Sequence, residues 1–235
     1  MQQLVEAATI LVMHITIADQ PLLLLPQRAL YWPAQQLLII ADIHFGKAAS
    51  FRALGVPVPA GTTTQNLTAL DALIARHDVQ HVLFLGDFLH AKTAHAPATL
   101  AAIRLWRQRH PDTFLTLVRG NHDDRAGDPP SDLDMHIVDE PHVIGPFAFC
   151  HHPQESPLGH VVAGHVHPVH RLAARGDTLR LPCFLIGERT SILPSFGAFT
   201  GGFAVNNGAG ERLFVVADDH VFAVPVAKPR IRALR

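Results

Sequence analysis

Five short apolar runs, each closed by a polar cluster, organise the middle of this chain. They are Leu37–Ala41, Val82–Leu85, Phe114–Val118, Phe147–Cys150 and Val161–Ala163. Runs of this length, unbroken by polar positions and bounded by turn formers, predict strands buried on both faces. Helical periodicity lies between them. Leu67, Leu70, Leu73 and Ile74 share one face, and Thr62-Thr63-Thr64 supplies N-cap candidates ahead of them. A second helix opens at Pro97, a favoured first-turn residue, and runs through Leu100, Ile103 and Trp106. Pro111 disfavours helical backbone at the residue before it, so this helix stops near His110. Strand and helix in alternation predict an α/β unit with a largely parallel sheet.

Beyond Gly164 the pattern changes. Leu179–Ile186, Gly202–Val205 and Arg212–Val226 read as strands separated by Gly, Asn and Asp turns. Asn206-Asn207-Gly208 and Asp218-Asp219 are hairpin-type signals. The expectation is a second, mostly antiparallel sheet against the first. No repeat, low-complexity segment or linker interrupts residues 1–235, which predicts a single domain.

Composition narrows the classes. A 235-residue chain with 48% hydrophobic residues can bury a core, and its net charge of −1 gives no global basic footprint for nucleic acid. Two cysteines, Cys150 and Cys183, make neither a disulfide framework nor a CxxC zinc site, and point to a reducing, cytoplasmic compartment. The N-terminus lacks a positive n-region and carries Glu6, unlike a signal peptide; Met13 is an alternative start. Apolar stretches such as Pro21–Pro26 are too short to span a bilayer, so no membrane partner is expected. The outlier is 17 histidines, because imidazole is the commonest metal ligand.

The polar clusters are Asp42-Ile43-His44, Gly86-Asp87, Gly120-Asn121-His122-Asp123, His151-His152-Pro153 and Gly164-His165-Val166-His167. Ligands of open α/β sheets gather beyond the carboxyl ends of strands, and each cluster stands at such an end. Singly, each is an ordinary turn or helix cap. Five such ends gathered on one sheet bring their side chains together. The residue types suit hydrolysis of a phosphate ester, whose negative oxygens repel a nucleophile. Two ions about 3.5–4 Å apart neutralise that charge and clamp the attacking and leaving oxygens. Such a pair needs a bridging carboxylate and neutral imidazoles. Mixed nitrogen and oxygen donors suit Mn, Fe, Zn or Ni better than Mg or Ca.

The ordered set D-x-H, G-D, G-N-H-D, H-x-P, G-H-x-H resembles the calcineurin-like metallophosphoesterases over roughly residues 36–170. The resemblance implies an α/β, four-layer fold of two packed mixed β-sheets flanked by helices. It implies Asp42, His44 and His167 on one metal, Asn121, His151 and His165 on the other, and Asp87 bridging. It places His122 over the scissile phosphate as the catalytic acid, with Asp123 as a candidate to orient it. His151 is taken over His152 because the family ligand stands two residues before the proline; His152 then faces substrate or supports the ligands from behind. Many relatives carry an acid three residues after the bridging Asp. His90 occupies that place here, which removes the usual acid–His dyad and makes His90 a candidate to tune the site or to touch substrate.

Leu24–Pro33, Asp42–Pro59, Gly86–Ala91 and Leu193–Gly197 are similar to the PdeM family, the ligase-associated DNA damage response endonucleases of bacteria. That similarity implies a manganese-dependent phosphodiesterase or endonuclease, DNA as substrate, and association with a DNA ligase and a helicase in repair. Lys47 and Arg52 follow the first motif and are candidate phosphate contacts, as is Arg119 beside Gly120. Arg104, Arg107 and Arg109 read as a solvated helix face, and the basic tail Lys228–Arg235 as a solvated end. A phosphomonoesterase or nucleotide phosphohydrolase on the same dimetal site is the alternative, and a non-catalytic binding module a further one. Intact donors and the presence of His122 argue against the last.

Overall fold

The computed structural model describes residues 12–58, 61–174 and 177–225; the N-terminal segment before Val12 and the basic tail lie outside them. The first sheet contains seven strands in chain order. These are β1 (Met13–Ile17), β2 (Gln20–Leu25), β3 (Ala29–Trp32), β4 (Leu37–Ala41), β5 (His81–Leu85), β6 (Phe114–Val118) and β7 (His136–Val138). β1 to β4 form an antiparallel meander, whereas β4 to β7 are parallel. The parallel half follows the expected pattern. Strands β1 to β3 do not appear in that reading, because their apolar residues carry no polar closing cluster.

The crossovers hold the α-helices α1 (Lys47–Ala53), α2 (Thr62–His77), α3 (Pro97–Arg109) and α4 (Asn121–Ala126). α2 begins with Gly61 as cap at φ 86° and no side-chain capping bond, so the threonines expected as caps sit inside the first turn. α3 ends at Arg109, before Pro111, as expected. Leu67, Leu70, Leu73 and Ile74 of α2 and Ile103 and Trp106 of α3 pack with Leu38, Ile40, Val82, Phe84, Leu115 and Leu117 in one apolar core.

The second sheet contains β8 (His142–Ile144), β9 (Phe147–Phe149), β10 (His160–Ala163), β11 (Pro168–Ala174), β12 (Asp177–Ile186), β13 (Thr190–Ile192) and β14 (Phe203–Ala204). β15 (Arg212–Ala217) and β16 (His220–Val224) join it through β12. β9, β10 and β13 are parallel neighbours and most of the remainder is antiparallel. Asp218-Asp219 forms the expected hairpin turn between β15 and β16. Asn206-Asn207-Gly208 does not, because β14 pairs with β11 and β15 with β12.

The facing sides of the two sheets meet in a second core: Leu30, Ile39, Leu83 and Leu85 from the first, Phe147, Phe149, Val162, Phe184 and Phe214 from the second. The architecture is therefore α/β, with two packed mixed sheets and helices on the outer side of the first. One expectation changes. The runs ending at Cys150 and Ala163 belong to the second sheet, so the polar clusters converge from two sheets and not from one. A buried apolar run carries no mark of which sheet it joins. Among the described residues no helix is long and apolar enough to cross a membrane.

Candidate metal centre

β4, β5 and β6 are parallel neighbours, so their carboxyl ends open on one edge of the first sheet. Asp42, His44, Asp87 and Asn121 follow those ends; His151, His165 and His167 follow β9 and β10. The backbone there is bent hard. Asp42, His44, Asp87, His165 and His167 all have positive φ, between 50° and 66°. For non-glycine residues that conformation costs about 1–2 kcal/mol each and persists only where surrounding structure enforces it.

That enforcement is visible. The first two motif loops are laced together by His44 N–H to the Asp87 carbonyl (2.9 Å) and Phe45 N–H to the Phe88 carbonyl (2.8 Å). The Leu193–Gly197 segment crosses from the second sheet, where Ser195 Oγ donates to the Asp42 carbonyl (2.7 Å) and Phe196 N–H to that of Ala41 (2.8 Å). Asp87 Oδ1 accepts from His122 N–H and Asp42 Oδ2 from His165 N–H, each at 2.9 Å.

Two groups of donors result. In one, Asp42 Oδ1 lies 3.4 Å from His167 Nε2, that atom 3.4 Å from His44 Nε2, and His44 Nε2 3.6 Å from Asp87 Oδ2. In the other, His151 Nε2 lies 2.9 Å from Asn121 Oδ1, 3.0 Å from His165 Nδ1 and 3.5 Å from Asp87 Oδ1. Metal bonds of about 2.0–2.2 Å set neighbouring donors of one ion about 3–3.5 Å apart. Both groups fit that spacing, and the two oxygens of Asp87 face one group each.

The electrostatics fit cations too. Asp42 Oδ1 is buried without a hydrogen-bond donor, a costly state for a carboxylate. Burial, then the charges of Lys47 and neighbouring histidines, drives the His44 pKa far down, and burial lowers that of His165. Both rings are thus neutral, the form that ligates. A carbonyl only accepts, so the Nδ1 of His151 carries its proton toward Leu85 (3.1 Å) and that of His167 toward Gly201 (3.2 Å). Each Nε2 keeps its lone pair for the centre.

His122 opens α4. Its Nδ1–H donates to the His90 carbonyl (2.7 Å), its ring stacks on that of His90 at 4.8 Å, and its Nε2 lies 4.0 Å from Asp87 Oδ2. The backbone of His90 therefore orients His122, at the position where the resemblance leads one to expect an acid side chain. Burial, then Lys47 and His122, lowers the His90 pKa to about 4, so its ring is neutral. Asp123 does not orient His122. It is buried and turned inward, accepting from Gly120 N–H (3.0 Å) and Leu89 N–H (3.1 Å).

Lys47, the first residue of α1, is half-buried where Asp42 and Asp87 act on its ammonium, although burial lowers its pKa. Arg52 is exposed in the last turn of the same helix. His152 gives its Nδ1 to Glu140 Oε1 (2.8 Å), with its ring 4.5 Å from that of His165. Arg119 is committed to Asp128 and Asp139 and is not a free phosphate contact. Arg104, Arg107 and Arg109 pair with Asp132, Asp134 and Asp71, in keeping with a solvated face.

One supporting residue escaped the sequence reading. Glu140 Oε2 accepts the backbone N–H groups of His151 (2.7 Å) and His152 (2.9 Å) and so fixes the fourth motif. Nothing local marks it: it stands 11 residues before His151.

Two mixed sheets meeting over paired imidazole and carboxylate donors define a metal-dependent phosphoesterase. Residues 36–153 match the calcineurin-like phosphoesterase family. The solved structure of the Pseudomonas putida nuclease MPE is 47% identical, over 91% of this chain and 100% of that one, with a TM-score of 0.82. Fainter likenesses are the protein of unknown function AQ665 from Aquifex aeolicus (20% identity, 60% of this chain and 81% of that one, TM-score 0.39) and the phosphoesterase Yfce from E. coli (18% identity, 75% and 86%, TM-score 0.36). No curated protein sequence matches. The chain belongs to the calcineurin-like phosphoesterase family.

Proposed function

We propose that this protein, as one domain over residues 1–235, is a dimetal phosphodiesterase that cleaves nucleic-acid strands. The observation that carries this reading is Asp87, whose two oxygens each face a separate donor group. The likeness to a nuclease at 47% identity over nearly the whole chain favours a diester over a monoester substrate. Asp42, His44 and His167 hold one ion and Asn121, His151 and His165 the other. When bound, such a pair neutralises phosphate charge and lowers the pKa of water at the site. Two nitrogen and two oxygen donors in each group suit Mn, Fe, Zn or Ni, and Mn is the ion that the family resemblance implies.

The chain's own residues do the rest. His122 directs Nε2 at the reacting phosphate and passes its proton to the leaving oxygen. The His90 carbonyl holds the other nitrogen and stabilises the charged ring. Lys47 and Arg52 meet the non-bridging oxygens, while His90 and His152 line the approach. DNA is the substrate class, the compartment is the cytoplasm, and a ligase and a helicase are the functional associates.

The test is turnover of an aryl phosphodiester and its monoester by metal-stripped, Mn-reconstituted protein. We expect diester preference, and loss of both turnover and bound metal in Asp87→Ala. Near-normal turnover by that variant refutes the dimetal reading, and monoester preference refutes the diester one.

A further inference from the structure

A cavity of about 290 Å³ opens against His167, and two arginines line it, Arg28 and Arg180. Neither has a carboxylate within ion-pair distance among the described residues, whereas Arg104, Arg107, Arg109 and Arg119 are each paired with aspartate. Arg28 is the more telling of the two. It follows β2 in a tight turn at φ 65°, and burial lowers its pKa with no acid to offset the effect. A guanidinium drawn from water with no counter-charge is costly unless an anion completes it.

The arginines are fixed relative to the metal centre by a single glycine-rich ribbon. Arg28 Nη1 donates to the Gly197 carbonyl (3.2 Å), His167 Nδ1 to that of Gly201 (3.2 Å) and Arg180 Nη2 to that of Gly202 (2.7 Å). At two of its glycines the ribbon lies too close to its neighbours for a side chain. A Cβ on Gly197 would meet the Ile43 carbonyl at 2.8 Å, and one on Gly202 would meet Val169 at 2.4 Å. Each guanidinium spends one N–H on the ribbon and keeps others for a ligand. Guanidinium forks match phosphate in shape and charge.

We infer that the Arg28–Arg180 cleft is a subsite for a non-scissile backbone phosphate of a DNA strand, next to the phosphate that is cut. This rests on the phosphodiesterase reading above and adds a direction to it: the strand leaves the centre on the His167 side. A small aryl diester has no second phosphate to place there.

The test measures kcat/KM on a short single-stranded deoxyoligonucleotide and on an aryl diester, with Mn-loaded wild type, Arg28→Gln and Arg180→Gln, at rising NaCl. Arg180 is exposed, so its variant guards against misfolding of the other. Each substitution should lower the oligonucleotide-to-aryl-diester ratio about 10-fold, the loss expected for one charge-assisted contact. Each should also flatten the log–log salt slope by about 0.7, the single-strand value for one phosphate contact. An unchanged ratio or an unchanged slope in Arg180→Gln overturns the subsite. Oligonucleotide binding by fluorescence anisotropy separates the two levels. Wild type that cleaves neither diester refutes the phosphodiesterase reading, while equal affinity in wild type and variants refutes the subsite alone.

Discussion

An ideal Cβ on Gly86 would lie 2.1 Å from Nδ1 of His151, and one on Gly120 would lie 2.5 Å from Oδ1 of Asp87. Gly86 also sits at φ 72°. These glycines are where backbone and donor share space, so their side-chain-free character shapes the centre as much as the donors do. Gly86→Ala should lose more than about 1 kcal/mol of stability from backbone strain alone, and most of its bound metal. Calorimetry and elemental analysis of the same sample check this; full metal content would show that the loop yields. His122→Ala makes the opposite expectation. Its metal content should match wild type while aryl-diester turnover falls about 10²–10⁴-fold. Parallel loss of metal would make His122 a ligand. The donors were legible in the sequence because each stands at the end of an apolar run in a residue type that chelates. The carboxylate of Glu140 and the carbonyl of His90 were not, since their roles depend on where distant chain arrives.

Between elements, the buried side chain of Asn66 on α2 joins two segments that the fold must hold in register. Its Nδ2 donates to the Ile43 carbonyl (3.2 Å) and its Oδ1 accepts from Ala198 N–H (3.0 Å). It thereby ties the first motif loop to the ribbon that anchors the two cavity arginines. Asn66→Ala leaves a buried acceptor and a partly buried donor unpaired. A penalty of about 1–3 kcal/mol per group predicts a lower urea midpoint with an unchanged m-value. No shift in midpoint would mean water replaces the amide. The sequence shows α2 only through its apolar face, which gives no sign that an asparagine on that helix is buried. Strands β4 and β6 were legible to the residue, because a two-sided burial leaves an unbroken apolar run. The meander β1–β3 was not, and neither was the division of runs between two sheets. Both are set by pairing, which leaves no mark within a short run.

Taken whole, the molecule buries imidazole in many places beyond its metal centre. His81 donates to or accepts from Thr116 Oγ1 at 2.9 Å, and burial, reinforced by His142 and His136, pushes its pKa down to about 4. Burial lowers His77, His142 and His160 as well. An unfolded histidine titrates near 6.5. Between about pH 6.5 and pH 4 the unfolded chain therefore binds protons that the folded one refuses, and stability falls as pH falls through that window. The urea midpoint should be lower at pH 5 than at pH 7, and His81→Gln should reduce the difference; a pH-independent midpoint would contradict the burial. The partition of donors between sheets has its own consequence for how the protein comes into being. His44 and His167 are separated by 123 residues, yet their Nε2 atoms face each other. A ribosome releasing this chain exposes Asp42, His44, Asp87 and Asn121 first, a mostly oxygen shell suited to the hard ions abundant in cells. The three imidazoles of the second sheet emerge later and balance those oxygens with nitrogen. Neither donor group is complete until the second sheet closes over the first.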